Sequence, residues 1–189
     1  LAQFLADQKV TVVASLPCYT QENVDAQRGK GVFDNSIKGL HILNDLGFGK
    51  NFTDHMFLAD FKDGEWQNAR IEPFRNFDMH PATSFMHYGQ AIFEGMKDTV
   101  NEERIPMLFR PEENAKRLNK SAERMGMPNF PENLFVEGLI ELVGLEHNWI
   151  PPKQGSALYL RPFMYADEPF IGMRAATHFK FIIMASPAG

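Results

Sequence analysis

Segments typical of β-strands stand on both sides of a group of helical segments in the sequence from about residue 54 to the end. Residues 54–61 and 66–74 predict two strands that pair across Asp63-Gly64, a dipeptide that favours a tight hairpin turn. Two longer strand-like segments follow at 156–165 and 177–185. Because strands precede and follow the helices instead of alternating with them, the order favours an α+β fold with a mostly antiparallel sheet.

Between these strands the sequence predicts three helices and one short strand. Residues 84–96 suit a helix, and residues 105–109 suit a strand. A second helix begins at Pro111, with acidic residues in its first turn, and runs to about Met125. A third helix runs from Pro131 to about residue 145 and has apolar residues at the spacing of one helix face.

The first 47 residues have a different pattern. Residues 10–16 are β-branched enough for a buried strand, and a polar loop and a helix that ends at Gly47 follow. A strand-loop-helix unit is typical of parallel α/β sheets. We therefore predict two parts, a separate segment at 1–47 and the main domain at 48–189. The strand-like run near the end, followed by a turn, predicts that the chain is a fragment of a longer protein.

Composition excludes several classes of function. A formal net charge of -5 argues against a nucleic-acid platform, which is usually basic. No apolar run approaches the roughly 20 residues that span a bilayer, so we expect no membrane partner. The single cysteine, Cys18, cannot form an internal disulfide and favours a reducing cytoplasm. The histidines have no paired metal-ligand spacing, and we predict no metal site.

The strand-like segment 157–162 carries an arginine next to a phenol on one face. Residues alternate across a sheet, so Tyr159 and Arg161 point to one side, and Leu158 and Leu160 to the other. A guanidinium and a hydroxyl on the same face can bind a carboxylate. The pattern is equally compatible with a solvent-facing polar surface in which Arg161 forms an ordinary ion pair.

Two other sets of residues are candidates for binding. Arg117 lies at the edge of the predicted apolar stripe of the second helix and could reach a phosphate, although basic helix faces are often only solvated. Tyr88 and Phe93 stand about 140° apart on the predicted helix 84–96, by the spacing of 3.6 residues per turn. They could flank a pocket, but two core aromatic residues would have the same pattern.

From about Leu46 to Gly189 the sequence closely resembles the N-terminal small domain of branched-chain amino acid aminotransferases, pyridoxal-phosphate enzymes of fold type IV. The resemblance rests on several separate segments that occur in the family's order. They are Phe48-Gly49-Lys50, Phe52-Thr53-Asp54-His55-Met56, His87-Tyr88, Phe93-Glu94-Gly95, Phe109-Arg110-Pro111, Arg117-Leu118, Ser121-Ala122, Leu158-Tyr159-Leu160-Arg161-Pro162, Glu168-Pro169, Gly172 and Ser186-Pro187-Ala188-Gly189.

The resemblance implies a role for each candidate residue. Arg117 would bind the phosphate of pyridoxal 5'-phosphate, and Tyr159 and Arg161 would bind the side-chain carboxylate of glutamate. Phe48, Tyr88 and Phe93 would line the pocket for the substrate side chain. Ile171 and Met173 would reach across a homodimer interface to the partner's active site.

The resemblance also implies what this chain lacks. In the family, the Schiff-base lysine lies in the large domain, after the Ser-Pro-x-Gly turn at which this sequence stops. We therefore expect no catalytic residue in this chain, and we expect the Schiff-base lysine to lie beyond Gly189. The implied activity is amino-group transfer between branched-chain amino acids and 2-oxoglutarate, for which the chain alone would be inactive.

Residues 1–47 resemble part of another family, the radical S-adenosylmethionine proteins of the arsenosugar-biosynthesis type. The similar segments are Val12-Val13-Ala14-Ser15-Leu16-Pro17-Cys18-Tyr19, Glu22-Asn23-Val24-Asp25, Gln27-Arg28-Gly29, Gly31-Val32-Phe33 and Ser36-Ile37. The three-cysteine motif of such enzymes is absent, so Cys18 predicts no iron-sulfur site. A chimaera joined near residues 46–50 would explain both resemblances, and so would an unusual N-terminal extension on an aminotransferase.

Two other functions remain open at this point. A D-amino acid transaminase or an aminodeoxychorismate lyase would share the fold, although residues 52–56 and the Tyr159–Arg161 strand argue against both. A non-catalytic fragment that only folds or associates belongs to a different class, and it would give no absorbance change with pyridoxal phosphate.

Overall fold

The computed structural model describes residues 51–151 and 155–188. The strand and helix predicted before residue 48, and the predicted pocket residue Phe48, lie outside the described residues. The described elements are β1 (His55–Lys62), β2 (Glu65–Pro73), α1 (Ser84–Tyr88), β3 (Ala91–Phe93), β4 (Met96–Val100), β5 (Pro106–Leu108), α2 (Pro111–Arg124), α3 (Glu132–Glu146), a 3-10 turn (His147–Trp149), β6 (Ala157–Ala166) and β7 (Phe179–Ala188).

One sheet of seven strands organises residues 52–187. Its order is β2-β1-β7-β6-β4-β5, and β3 also pairs with β6. The pairs of β1 with β2 and with β7, of β6 with β3 and with β4, and of β4 with β5 are all antiparallel. The predicted α+β fold with a mostly antiparallel sheet is therefore confirmed.

The β1–β2 hairpin forms at the predicted turn. Asp63 and Gly64 both have positive φ, 54° and 85°. Two consecutive residues in the left-handed region are what a tight turn between twisted strands requires, and Asp-Gly is among the pairs that adopt it most readily.

One face of the sheet packs against α2 and α3. The sequence predicts an apolar stripe of Ala115, Leu118, Ala122 and Met125 on α2. The first three are buried, whereas Met125 lies beyond the helix and is exposed. In α3, Gly138 lets the helix approach β1 closely, because a Cβ at this position would lie 2.9 Å from the Phe57 ring. The large buried side chains under these helices include Phe130, Phe135, Leu139, Leu142, Leu158, Leu160 and Phe181.

The predicted helix over 84–96 is wrong after its first turn. The helix ends at Tyr88, and Gly89 follows it in the left-handed region with φ 66°, its N–H bonded to the Phe85 carbonyl. Residues 91–99 then alternate strictly between exposed and buried, which is the period of a strand. Tyr88 and Phe93 therefore do not share a helix, and the angle predicted between them does not apply.

No helix in the described ranges is long and apolar enough to cross a membrane.

Candidate functional site

The site is built on a ribbon, residues 91–99, that runs antiparallel to β6. Lys97 pairs with Tyr159 and Phe93 with Phe163, and the Glu94 N–H donates to the Pro162 carbonyl between them. This constant register sets Gly95 opposite Arg161. Because side chains alternate across a sheet, Phe93, Gly95 and Lys97 share the exposed face with Tyr159 and Arg161.

Arg161 and Tyr159 contact each other on this face, as their spacing predicts. Arg161 donates to the Tyr159 hydroxyl oxygen from Nε at 3.1 Å and from Nη2 at 2.5 Å. The guanidinium also lies 4.4 Å from the centre of the Phe93 ring, within the range of a cation–π contact. The structure thus brings together three of the predicted site residues, Phe93, Tyr159 and Arg161.

Gly95 provides the space that this cluster needs. A Cβ at position 95 would lie 2.6 Å from the Tyr159 hydroxyl oxygen, closer than non-bonded atoms approach. Any other residue would therefore displace the phenol that receives the two Arg161 hydrogen bonds. Gly95 is not among the predicted site residues, because the helix predicted over this segment concealed its position opposite Arg161.

The buried face of the same ribbon carries a second charged group. Glu94 is 4% exposed, and its carboxylate accepts hydrogen bonds from Arg117 Nε at 2.8 Å and Nη2 at 2.5 Å. Asn114 Nδ2 donates to the same carboxylate at 2.9 Å. Glu94 raises the pKa of the Arg117 guanidinium above its usual range, through the hydrogen bond and the opposite charge.

Arg117, the predicted phosphate ligand, is therefore oriented by an acidic residue of its own chain. Its side chain is 65% exposed, and within residues 51–151 and 155–188 its Nη1 group makes no hydrogen bond. A guanidinium held along one edge and open along another can bind an anion with a defined geometry. Glu94 was not among the predicted site residues, although its place in Phe93-Glu94-Gly95 was part of the resemblance.

The other predicted site residues lie on separate elements. Tyr88 is the last residue of α1 and is about half exposed, so it is not a core aromatic residue. Ile171 and Met173 lie in the loop between β6 and β7 and are 65% and 100% exposed. All three are available to a ligand or to another protein surface.

No group of three or more histidine, cysteine or acidic residues that could hold a metal ion occurs in the part of the chain that the structure describes. His55, whose side chain is about one-third exposed, has its Nδ1 atom 2.5 Å from the Oε1 atom of the buried Glu146. This pair joins the start of β1 to the end of α3, which is a structural role.

Comparison with known sequences identifies relatives over most of the chain. This chain is 46% identical to branched-chain-amino-acid transaminase 1 of Bacillus subtilis over 145 residues. These residues make up 76% of this chain and 41% of the relative. It is 42% identical over 155 residues to a probable branched-chain-amino-acid aminotransferase of Staphylococcus epidermidis, which is 82% of this chain and 43% of the relative. The chain thus spans about two fifths of the length of these relatives. No protein-family model matches.

Solved structures show the same fold. A branched-chain amino acid aminotransferase from Escherichia coli matches 71% of this chain and 41% of its own length, with a TM-score of 0.53 and 21% identity. The Thermobaculum terrenum enzyme in its PLP form matches 71% of this chain and 40% of its own length, with a TM-score of 0.52 and 23% identity. The antiparallel sheet with a few helices matches a small α+β domain of fold type IV aminotransferases.

The second resemblance has no such support. The comparisons do not support a radical S-adenosylmethionine origin for residues 1–47. The Staphylococcus epidermidis match of 155 residues is longer than the stretch from Phe48 to Gly189, so it includes residues before Phe48. By sequence over about four fifths of its length, and by the fold of its described residues, this chain is a homologue of part of the branched-chain-amino-acid aminotransferases.

Proposed function

We propose that this chain is the small-domain part of an enzyme that transfers an amino group between branched-chain amino acids and 2-oxoglutarate, using pyridoxal 5'-phosphate. The observation that carries this proposal is the 46% identity over 145 residues to a Bacillus subtilis branched-chain-amino-acid transaminase. The domain division, the cofactor, the substrates and the site residues are part of the proposal, because the chain spans about two fifths of such relatives.

The described residues fit the phosphate end of this cofactor. Arg117 is a solvent-accessible guanidinium that Glu94 fixes along its Nε–Nη2 edge, so its Nη1 group is oriented for a phosphate oxygen. When bound, pyridoxal phosphate supplies the electron sink that amino-group transfer requires. The lysine that would hold the cofactor is expected beyond Gly189, and we expect the 189-residue chain alone to be inactive.

The Arg161–Tyr159 pair suits the side-chain carboxylate of glutamate or 2-oxoglutarate. The pair uses Nε and Nη2 of Arg161, so among the described residues Nη1 and the Tyr159 hydroxyl proton remain for a carboxylate. The Phe93 ring beside them offers an apolar surface for a branched side chain. A single pocket can therefore accept both glutamate and a branched-chain amino acid if a charged group lies next to an apolar surface.

Four further residues complete the proposed pocket. Phe48 and Tyr88 would line the side-chain pocket together with Phe93. The exposed Ile171 and Met173 would close the pocket of the partner in a homodimer. The single cysteine supports a reducing compartment, and we propose the cytoplasm as the place of action.

The experiment is to express the reading frame that encodes this chain together with any sequence that continues beyond Gly189. We expect an absorbance change when pyridoxal phosphate is added, and faster amino-group transfer from leucine than from D-alanine. A preference for D-alanine would favour a D-amino acid transaminase instead. If pyridoxal phosphate causes no absorbance change and no amino group is transferred, the proposal is overturned in favour of a non-catalytic protein.

A further inference from the structure

The loop between β6 and β7, residues 167–178, contains a carboxylate that the proposed function does not use. Glu168 is largely buried and accepts hydrogen bonds from Arg174, through Nη1 at 3.2 Å and Nη2 at 2.5 Å. It also accepts from the Thr177 N–H at 2.9 Å and the Thr177 hydroxyl at 3.3 Å. These contacts, Arg174 first, lower the pKa of Glu168 below its usual range, so the carboxylate stays charged at neutral pH.

The same network fixes an aromatic ring inside the loop. The Arg174 guanidinium lies 4.0 Å from the centre of the Phe170 ring. The ring also lies so close to Gly172 that a Cβ there would be 2.4 Å from it, so any other residue at this position would displace the ring. Residues 170–174 are therefore held by contacts between their own side chains and backbone, although they form no helix or strand.

The backbone of Glu168 links this loop to the start of α1. Its carbonyl accepts the N–H groups of Ser84 at 2.8 Å and of Phe170 at 2.9 Å. An isolated antiparallel bridge joins Thr83 to Pro169 directly beside these bonds. One residue thus anchors both the loop of Ile171 and Met173 and the helix that ends at Tyr88.

We propose that Glu168 is a positioning residue, which fixes the loop and the start of α1 so that Ile171 and Met173 are exposed in one defined conformation. Met173 is fully exposed, and a rigid loop reduces the ordering cost of any contact that such side chains make. That these two side chains close a substrate pocket rests on the proposed function. The role of Glu168 in holding these two side chains in place is independent of the proposed function.

The test is amide hydrogen exchange on the 189-residue chain and its Glu168→Gln variant. The substitution keeps the size of the side chain but removes the charge that binds Arg174. We expect amides at 170–178 to exchange at least about tenfold faster, and those at the start of α1, which bond to the unchanged Glu168 backbone carbonyl, to change less. Exchange at 170–178 within about twofold of the unsubstituted chain would overturn the proposal.

Two further variants keep this result interpretable. Glu72→Gln is the matched control, because Glu72 also pairs with arginines, Arg70 and Arg75, but lies in β2. It should leave exchange at 170–178 unchanged. If Glu168→Gln fails to fold, Arg174→Lys replaces it, since lysine keeps the charge but loses the forked bond and the ring contact. Unchanged exchange in that variant would equally overturn the proposal.

A kinetic measurement separates this inference from the proposed function. In the longer enzyme, Glu168→Gln should raise the KM for leucine while kcat stays within about twofold. An unchanged KM together with faster loop exchange would confirm the positioning role, and would contradict only the pocket role that the proposed function gives to Ile171 and Met173.

Discussion

Two acidic residues on the buried face of one ribbon have opposite surroundings. Glu94 and Asp98 are four residues apart, and both are at least nine-tenths buried. Glu94 receives three hydrogen bonds, from Arg117 and Asn114. Asp98 is 0% exposed, and no side chain in the described ranges donates to its carboxylate; the backbone N–H of Met107 is the one group there that favours its charged form.

The difference follows from what packs over each residue. Glu94 faces the polar edge of α2, which supplies a guanidinium and an amide. Asp98 is paired across the sheet with Leu158 and Leu108, so its face is apolar. Burial raises the pKa of Asp98 to about 6. A buried carboxylate can thus orient an arginine only where another element brings donors to it, and otherwise it destabilises the fold.

The largest expected effect is therefore on stability. Asp98→Asn removes a charge that is buried without a side-chain partner, and at pH 8 we expect the free energy of unfolding to rise by about 3 kcal/mol, from roughly 1.4 kcal/mol per pKa unit. Urea denaturation of the two chains at pH 8 measures this difference.

The gain should depend on pH in a defined direction. The folded state binds the Asp98 proton more tightly than the unfolded state, so this contribution is fully favourable below the unfolded pKa of 3.8 and is lost as the pH rises through about 6. The difference between Asp98→Asn and the unsubstituted chain should thus shrink between pH 8 and pH 4. A difference that is constant over this range would show that Asp98 is not a buried, titrating group.

The second prediction concerns the phosphate contact. In the longer enzyme, Arg117→Ala should weaken pyridoxal phosphate binding at least about tenfold, because a charge-assisted contact is lost. Lys116→Ala is the matched control, since Lys116 neighbours Arg117 on α2 but pairs with the exposed Glu113. Titration followed by absorbance measures both affinities, and equal affinities in the two variants would contradict the role of Arg117.

A smaller effect is expected from Glu94→Gln. Arg117 is mostly exposed, so we expect a loss of only about 1 kcal/mol in stability. The affinity for pyridoxal phosphate should fall severalfold, because the guanidinium loses its fixed edge. Tighter binding of the phosphate would contradict an orienting role, and would show that Glu94 only competes for Arg117.

The smallest change tests the exposed face. Gly95→Ala places a methyl group 2.6 Å from the present position of the Tyr159 hydroxyl, so the phenol must shift away from Arg161. We expect the KM for glutamate to rise a few-fold in the longer enzyme and the KM for leucine to change less. Gly144→Ala is the control, because a Cβ there meets nothing within 4 Å. A glutamate KM equal in both variants would count against the geometry of this face.

The sequence predicted most of the fold, because turn chemistry and periodicity agreed there. The Asp63-Gly64 hairpin, the helix that begins at Pro111 and the two long strands occur close to their predicted positions. The helix prediction was wrong for the segment after Tyr88, because the length and composition of this segment also suit a helix. The αL conformation of Gly89 ends the helix, and the alternate burial of Ile92, Glu94 and Met96 marks the following segment as a strand. The charged Glu94 on the buried side hid this alternation in the sequence.

The site was predictable only in part, for a related reason. The alternation of Tyr159 and Arg161 along one strand placed both on the same face. Their relation to Phe93 and Gly95 depends on the pairing of two strands more than sixty residues apart, which local periodicity does not encode. Glu94 as partner of Arg117 depends in the same way on how α2 packs against the ribbon.

The most direct measurement is the kinetics of Arg161→Ala in the longer enzyme, with glutamate and leucine measured separately. We expect the KM for glutamate to rise at least about tenfold while turnover of leucine stays within about threefold, because only glutamate carries a second carboxylate. Unchanged constants for both amino acids would contradict the claim that this face of the sheet recognises the carboxylate of an amino-group donor.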